Sequence, residues 1–340
     1  MASAASPRTD QGAFSVWIPN RGRFCLGKQF RQKLKRDERK QKMNNAQDVK
    51  SRVGIVGVGL MGHGIARNIQ RAGWPIAFLS HPGNQPVDDL TSNGAVSFDT
   101  GSDLAASCDT LIICVTGTPQ VEDVLFRSDG ILKGLRPGGV IIDCSTAIPE
   151  STKKIAAAVT AAGGHFLDAP MTRTPEEAAE GRLNLIVGGD RDLFETLLPL
   201  MRSYAENITY AGAVGAGHTL KLLHNFVSLG FSAVLAEAAA CSAKAGVDPV
   251  VLAEVLGSGG GAGVVFERLK PFILAQDASG FRFSLANARK DIGYYVEMSR
   301  SVAAENGAAT AIFQVYDQAC SAGHEQAAVP ELISVLSEKK

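Results

Sequence analysis

Residues 52–79, RVGIVGVGLMGHGIARNIQRAGWPIAFL, restrict the fold more than any other stretch of the chain. Val53, Ile55 and Val56 make a short apolar run suited to a strand buried on both faces. Gly57, Gly59 and Gly62 follow at G-x-G-x-x-G spacing. Met61, Ile65, Ala66 and Ile69 then recur at helical spacing, with Gly73 as a stop. Residues 75–79 read as a second strand. The predicted unit is therefore strand–helix–strand with its glycines at the first turn. Gly57 permits the tight turn, Gly59 lets a pyrophosphate approach the backbone, and Gly62 lets helix and sheet pack closely. The free N–H groups and positive dipole end of the helix suit phosphate charge. A glycine-rich turn in another α/β protein is the alternative, but strand, helix and second strand are all present.

The end of the second strand bears on which dinucleotide fits. An acid there would bind the ribose 2′-OH of NAD, whereas a small polar or basic neighbourhood admits the 2′-phosphate of NADP. Ser80 and His81 follow the strand, and no carboxylate precedes Asp88. NADP is thus preferred over NAD, although no Arg or Lys stands here to hold the phosphate.

The chain of 340 residues is 45% hydrophobic, enough for one large domain or two ordinary ones. Its formal net charge is zero, which gives no reason to expect nucleic acid as a partner. Residues 1–42 nonetheless carry 11 Lys/Arg against 3 Asp/Glu, so the remainder is mildly acidic. The six cysteines include no C-x-x-C pair, which suits a reducing compartment and argues against a disulfide framework or a zinc site. No uninterrupted apolar run approaches the ~18 residues of a membrane span. Residues 1–50 form a basic tail without strand or helix period. Met43 is preferred as the true first residue, which makes the protein cytoplasmic. A transit peptide is the other reading, with the mitochondrial matrix as destination.

Strand patterns fall at 52–57, 76–79, 95–98, 110–115, 139–143, 165–168, 184–188 and 207–210, with helical segments between most of them. This predicts a doubly wound, mainly parallel α/β sheet over 51–212, extended by later strands of mixed direction. After Gly212 the strand signal nearly vanishes. Helices are predicted at 216–245, 248–257, 262–275, 286–304 and 308–322. The whole is a Rossmann domain followed by an all-α domain over 213–335, joined by a long helix with a ligand cleft between.

Three constellations carry candidate chemistry. Asp143-Cys144-Ser145-Thr146 ends a strand, where Ser145 and Thr146 could face an anion or simply cap the helix near 150–161. Thr172-Arg173-Thr174 follows another strand, and the Arg173 fork suits a carboxylate, sulfonate or phosphate, unless it is only a surface arginine. Lys221 and Asn225 share a face of the long helix. A lysine in an otherwise apolar helix is unusual; desolvation lowers its pKa toward ~7–8, where it can exchange a proton with an alkoxide or carbonyl oxygen. A lysine snorkelling at a domain edge is the alternative. His63, His165, His218 and His324 lack metal-ligand spacing and are read as structural; no metal is expected.

From about 51 to 335 the chain resembles the β-hydroxyacid dehydrogenases, a family that includes 3-hydroxyisobutyrate dehydrogenase, tartronate semialdehyde reductase and sulfolactaldehyde reductase. The resemblance rests on GVGLMG (57–62), DCSTAIP (143–149), FLDAPMTRTPEEAAEGRLNLIVGG (166–189), GAVGAGHTLKLLHN (212–225) and FSLANARKD (283–291), in the family's order. It implies an NAD(P)-dependent enzyme that interconverts a small 3-hydroxy acid and its semialdehyde, in a homodimer or homotetramer. It implies that Lys221 is catalytic and that Ser145, Thr146, Thr172, Arg173, Thr174, Asn225 and Lys290 bind substrate. It further implies that Gly57, Gly59, Leu60, Met61, Gly62, Ser80, His81, Val115, Thr116, Thr146, Lys290 and Asp291 bind cofactor. Two departures stand out. Most members carry Ser-Gly-Gly where Thr172-Arg173-Thr174 stands, which looks more like the sulfolactaldehyde reductase variant and admits a strongly acidic substrate. The asparagine expected before Asn225 is His224. A non-catalytic dinucleotide-binding scaffold is the rival reading, and the presence together of Lys221, Asn225 and Lys290 opposes it. Imine reduction and oxidative decarboxylation rank lower.

Overall fold

The computed structural model describes residues 50–338; the expectations for the basic tail, Lys50 apart, lie outside the described residues. In chain order the elements begin β1 (Val53–Val56), α1 (Leu60–Arg71), β2 (Ile76–Leu79), α2 (Asp88–Ser92), β3 (Val96–Phe98), α3 (Gly101–Ser107) and β4 (Thr110–Ile113). They continue with α4 (Thr118–Phe126), α5 (Ile131–Gly134), β5 (Val140–Asp143), α6 (Pro149–Ala161), β6 (His165–Asp168), β7 (Met171–Thr172), α7 (Pro175–Glu180), β8 (Leu183–Gly189), α8 (Arg191–Met201) and β9 (Ala205–Gly212). Helices follow: α9 (Ala216–Lys244), α10 (Pro249–Ser258), α11 (Val264–Ala275), α12 (Leu285–Ser301), α13 (Gly307–Ala319) and α14 (Leu332–Glu338).

The sheet runs β3-β2-β1-β4-β5-β6-β8-β7, with β9 paired to β8. From β3 to β6 every pairing is parallel; β8 turns antiparallel to β6, and β9 runs parallel to β8. The apolar runs of β1, β2, β4 and β5 are buried at every position, as a parallel sheet covered on both faces requires. One face packs Ile65 and Ile69 of α1 and Phe194 of α8. The other packs Leu104 of α3, Val121 of α4 and Ile155 of α6. Each such aliphatic or aromatic side chain, fully buried, contributes roughly 1.5–3 kcal/mol. This is the doubly wound fold the sequence predicts, and its strand order reverses between β1 and β4, where the carboxyl ends open a crevice.

A third core lies among the helices, where Leu229, Ala233 and Ala236 of α9 meet Phe266 of α11, Ile292 of α12 and Tyr316 of α13. By length and composition alone α9 could cross a membrane. Its apolar positions Leu229, Leu235, Ala236 and Ala239 instead belong to this core.

Three differences from the sequence reading have local causes. β4 ends at Ile113 rather than 115, because Val115 N donates to Ser145 Oγ (3.0 Å) instead of joining the ladder. β7 was not anticipated; two residues are too few to show a period. Nor was α14, a seven-residue helix whose Leu332, Ile333 and Val335 close the helical core.

Candidate active site

Four segments converge on the carboxyl edge of the parallel strands. The β1–α1 turn holds Gly57, Gly59, Leu60, Met61 and Gly62. Gly57 has φ +90°, the left-handed region that glycine adopts without strain. A Cβ on Gly62 would lie 1.9 Å from the Gly57 carbonyl oxygen, whereas one on Gly59 would meet nothing within 4 Å. The turn is closed on the protein side and open on the ligand side. No side chain caps the start of α1, and Leu60 stands 64% exposed beside it. Asn84, which the sequence reading missed, braces the turn: its Oδ1 accepts from Val58 N (3.2 Å) and its Nδ2 donates to Leu79 O (3.0 Å). Ser80 and His81 line an open cavity of about 530 Å³ beyond β2. His81 Nδ1 accepts from Gly83 N at 2.9 Å.

The β4–α4 turn is clamped from α12. Lys290 Nζ donates to Thr116 O and lies 2.9 Å from Asp291 Oδ1. Tyr294 OH, one turn further along, accepts from Thr118 N at 3.1 Å. The i, i+4 spacing of Lys290 and Tyr294 is the signal that could have found this second clamp. Asp291 is buried, and its Oδ2 accepts from Asn225 Nδ2 at 2.6 Å. Asn225 sits one helical turn after Lys221 on α9. Lys221 is half-buried, and burial pushes its ammonium pKa down to about 8. Asp291 opposes that shift and the neighbouring Lys290 charge adds to it. Lys221, Asn225, Lys290, Asp291, Val115 and Thr116, far apart in sequence, thus form one cluster.

Ser145 is buried and does not cap α6, whose N-cap is Ile148 without a side-chain bond. Its Oγ holds the Val115 amide, and its own N donates to Asp143 Oδ1 at 2.9 Å. Thr146, half-buried, follows it. Beneath lies a polar hub that sequence reasoning did not foresee. His218 Nε2 donates to Ser145 O (3.1 Å), and its Nδ1 lies 2.8 Å from Thr152 Oγ1. Asp143 and Asp168, both fully buried, each place a carboxylate oxygen 3.9 Å from the His218 ring. Asp168 also accepts from Gly215 N and His218 N at the start of α9. Burial raises the Asp143 pKa, with the His218 ring as the principal opposing influence. His218 is structural, as read, and it registers the lysine-bearing helix against β5 and β6.

The Thr172–Thr174 side chains are engaged elsewhere. Thr172 Oγ1 accepts from Asn184 Nδ2 at 3.1 Å. The Arg173 guanidinium is paired with Glu206 and the Arg182 carbonyl. Thr174 forms a capping box with Glu177 at the start of α7. One Arg173 nitrogen, Nη1, thus faces Glu206 and the Arg182 carbonyl, and the Thr174 hydroxyl faces Glu177, within their own loop and the β8–β9 edge. Arg173 also has φ +84°, a conformation disfavoured for any residue with a Cβ.

Two family models cover this chain. The NAD binding domain of 6-phosphogluconate dehydrogenase matches residues 52–212. The NAD-binding model of NADP-dependent 3-hydroxyisobutyrate dehydrogenase matches residues 215–336. A 2-hydroxy-3-oxopropionate reductase of Escherichia coli is 34% identical over 254 residues, 74% of this chain and 85% of the relative. The protein belongs to the β-hydroxyacid dehydrogenase family. A 3-hydroxyisobutyrate dehydrogenase of Pseudomonas aeruginosa is 32% identical over 80% of this chain and 94% of its own. The crystal structure of a 3-hydroxyisobutyrate dehydrogenase from Salmonella typhimurium superposes with a TM-score of 0.74 at 29% identity, covering 84% of this chain and 99% of that one. This β-hydroxyacid dehydrogenase is an NAD(P)-dependent oxidoreductase, and the open glycine turn with its uncapped helix fits the pyrophosphate of such a dinucleotide. Among the described residues no group of three or more His, Cys, Asp or Glu is placed to hold a metal ion.

Proposed function

We propose that this β-hydroxyacid dehydrogenase interconverts a small 3-hydroxy acid and its semialdehyde, with Lys221 moving the proton. The observation that carries this reading is a half-buried lysine with pKa lowered to about 8, clustered with Lys290, Asp291 and the β4–α4 turn. Such a pKa lets one amine serve as acid or base near neutral pH. The bound nicotinamide supplies or takes the hydride. In reduction Lys221 Nζ donates a proton as charge develops on the carbonyl oxygen; in oxidation its neutral form accepts the hydroxyl proton. Asn225, fixed by Asp291, orients the reacting oxygen. Ser145, Thr146 and the backbone of the Thr172–Thr174 loop receive the acid group, and the Lys221 and Lys290 charges favour an anionic substrate. Leu60, Met61 and the glycine turn hold the dinucleotide, with Val115, Thr116 and Lys290 near its nicotinamide end. NADP is the favoured form because Ser80 and His81 line the cavity beyond β2 and no carboxylate does so before Asp88. A sulfonate substrate in the manner of sulfolactaldehyde reductase would require Arg173 to leave Glu206.

The reading is tested by following absorbance of the reduced nicotinamide with semialdehydes and 3-hydroxy acids of three to five carbons. Turnover with at least one carboxylate pair, faster with NADPH than NADH, is expected; silence across the panel with both cofactors would sink it.

Reduction needs the Lys221 ammonium, so its kcat should fall as pH rises through about 8, while oxidation, which needs the amine, should gain over the same interval. Parallel profiles in both directions would separate the titration from Lys221.

Arg173→Gly removes the left-handed strain, about 1 kcal/mol, and an exposed ion pair contributing roughly 0–1 kcal/mol. Unchanged or slightly raised thermal stability and an unchanged KM for the acid are expected. A large rise in KM would return Arg173 to the substrate.

A further inference from the structure

His224 follows Lys221 by three residues on α9, so the two side chains are neighbours on one helix face. His224 is a surface residue whose Nδ1 side is part-buried against Asn225, and Asn225 itself is buried. Asn225 Nδ2 lies 2.6 Å from Asp291 Oδ2, and Asp291 is ion-paired to Lys290 at 2.9 Å. An ion-paired carboxylate only accepts hydrogen bonds, so the nitrogen side of the Asn225 amide must face it. The Asn225 oxygen then faces His224 Nδ1 at 3.0 Å. An amide oxygen also only accepts, so Nδ1 carries the hydrogen. In the neutral ring Nε2 is therefore a bare lone pair. The buried Asn225–Asp291–Lys290 chain thus selects one tautomer of an exposed histidine beside the half-buried lysine.

Lys221 must regain or lose a proton after every turnover, and its burial restricts contact with bulk water. We propose that His224 relays protons between Lys221 and solvent through Nε2. The inference rests on the proton-transfer role of Lys221 given above. In reduction a proton leaves Lys221 Nζ for the substrate oxygen, leaving a neutral amine. Nε2 takes a proton from hydronium or a buffer acid, forming imidazolium. The Nε2–H bond then breaks as its proton passes, directly or through one water, to the Nζ lone pair. Ammonium and neutral imidazole are restored, and Nδ1 keeps its hydrogen throughout. Oxidation runs the same steps in reverse, and no electrons move in the relay.

The charged groups that act on this ring are Lys221 on α9 and Arg268 on α11, while Lys290 and Asp291 on α12 act on Lys221. Desolvation lowers the imidazole pKa; the Asn225 hydrogen bond opposes that, and Lys221 and Arg268 reinforce it. These influences favour the neutral ring, whose Nε2 lone pair can take the next proton.

The test measures kcat and KM of the full chain at fixed pH over a series of buffer concentrations, for wild type, His224→Ala, His224→Gln and Lys221→Ala. Glutamine can keep the hydrogen bond to Asn225 but cannot carry a proton. Both His224 variants should lose about 10- to 100-fold in kcat at low buffer, below the full value of the group they serve. Their KM should be unchanged, and added imidazole should restore His224→Ala in proportion to its concentration while wild type stays flat. Wild-type turnover of both variants at low buffer, or a loss that imidazole does not repair, overturns the relay. Should Lys221→Ala itself retain wild-type turnover, the proton role of Lys221 fails instead. An inactive Lys221→Ala beside unaffected His224 variants removes the relay alone.

Discussion

Lys221→Met should lower kcat by ~10²–10⁴ with dinucleotide affinity retained, the range for loss of a positioned acid–base group. Methionine keeps the length and flexibility of the lysine stem without its charge. The native ammonium is held at a cost, since burial already drives its pKa to about 8, so the variant should fold at least as well as the parent. The glycine turn, Ser80 and His81 lie on other elements, which is why cofactor binding is expected to survive. The check is kcat at saturating substrate together with a titration of cofactor fluorescence. Turnover near that of the parent would remove Lys221 from the chemistry. Loss of cofactor affinity in parallel would make it a binding residue instead.

Gly62→Ala should abolish measurable dinucleotide binding and lower thermal stability by several degrees. The added Cβ would sit 1.9 Å from the Gly57 oxygen and 3.0 Å from its carbonyl carbon. Both are backbone atoms, so no rotamer change relieves the clash. The turn must open, and overpacking of this kind typically costs about 1–3 kcal/mol. Gly57 cannot follow easily, because its own Cβ position is 2.3 Å from Cys114 O. Gly59→Ala is the informative contrast. Its Cβ meets no protein atom within 4 Å, so stability should hold while affinity for the dinucleotide falls. Calorimetry with and without NADPH separates the two. Equal behaviour of the two variants would remove the distinction between the packed and the open side of the turn.

Much of this architecture could be read locally. All eight strand patterns are present; the central ones stand out because buried parallel strands are near-continuous apolar runs such as IAFL and TLII. The long helix at 216–245 is α9 to within one residue, because its apolar period carries through Gly230 and ends only before Gly246. Thr174 is legible as a helix cap from Glu177 three residues later. Arg173 was harder. Nothing near it in sequence announces Glu206, which arrives through the β8–β9 pairing. Tyr294 and Asn84 were missed for the same reason, since each serves a backbone amide in a distant turn.

By itself the sequence determined the glycine-turned strand–helix–strand unit, the succession of buried strands and the helical second half. These depend on residue size, backbone freedom and the spacing of apolar side chains within a few turns of chain. Only the tertiary structure decided that α12 clamps the β4–α4 turn, that Asp143, Asp168 and His218 share one buried hub, and that His224 Nδ1 meets the Asn225 amide oxygen. Apolar spacing says which face of an element is buried. Which polar groups meet there depends on how those faces dock, because every buried donor and acceptor must find its partner wherever the fold brings one.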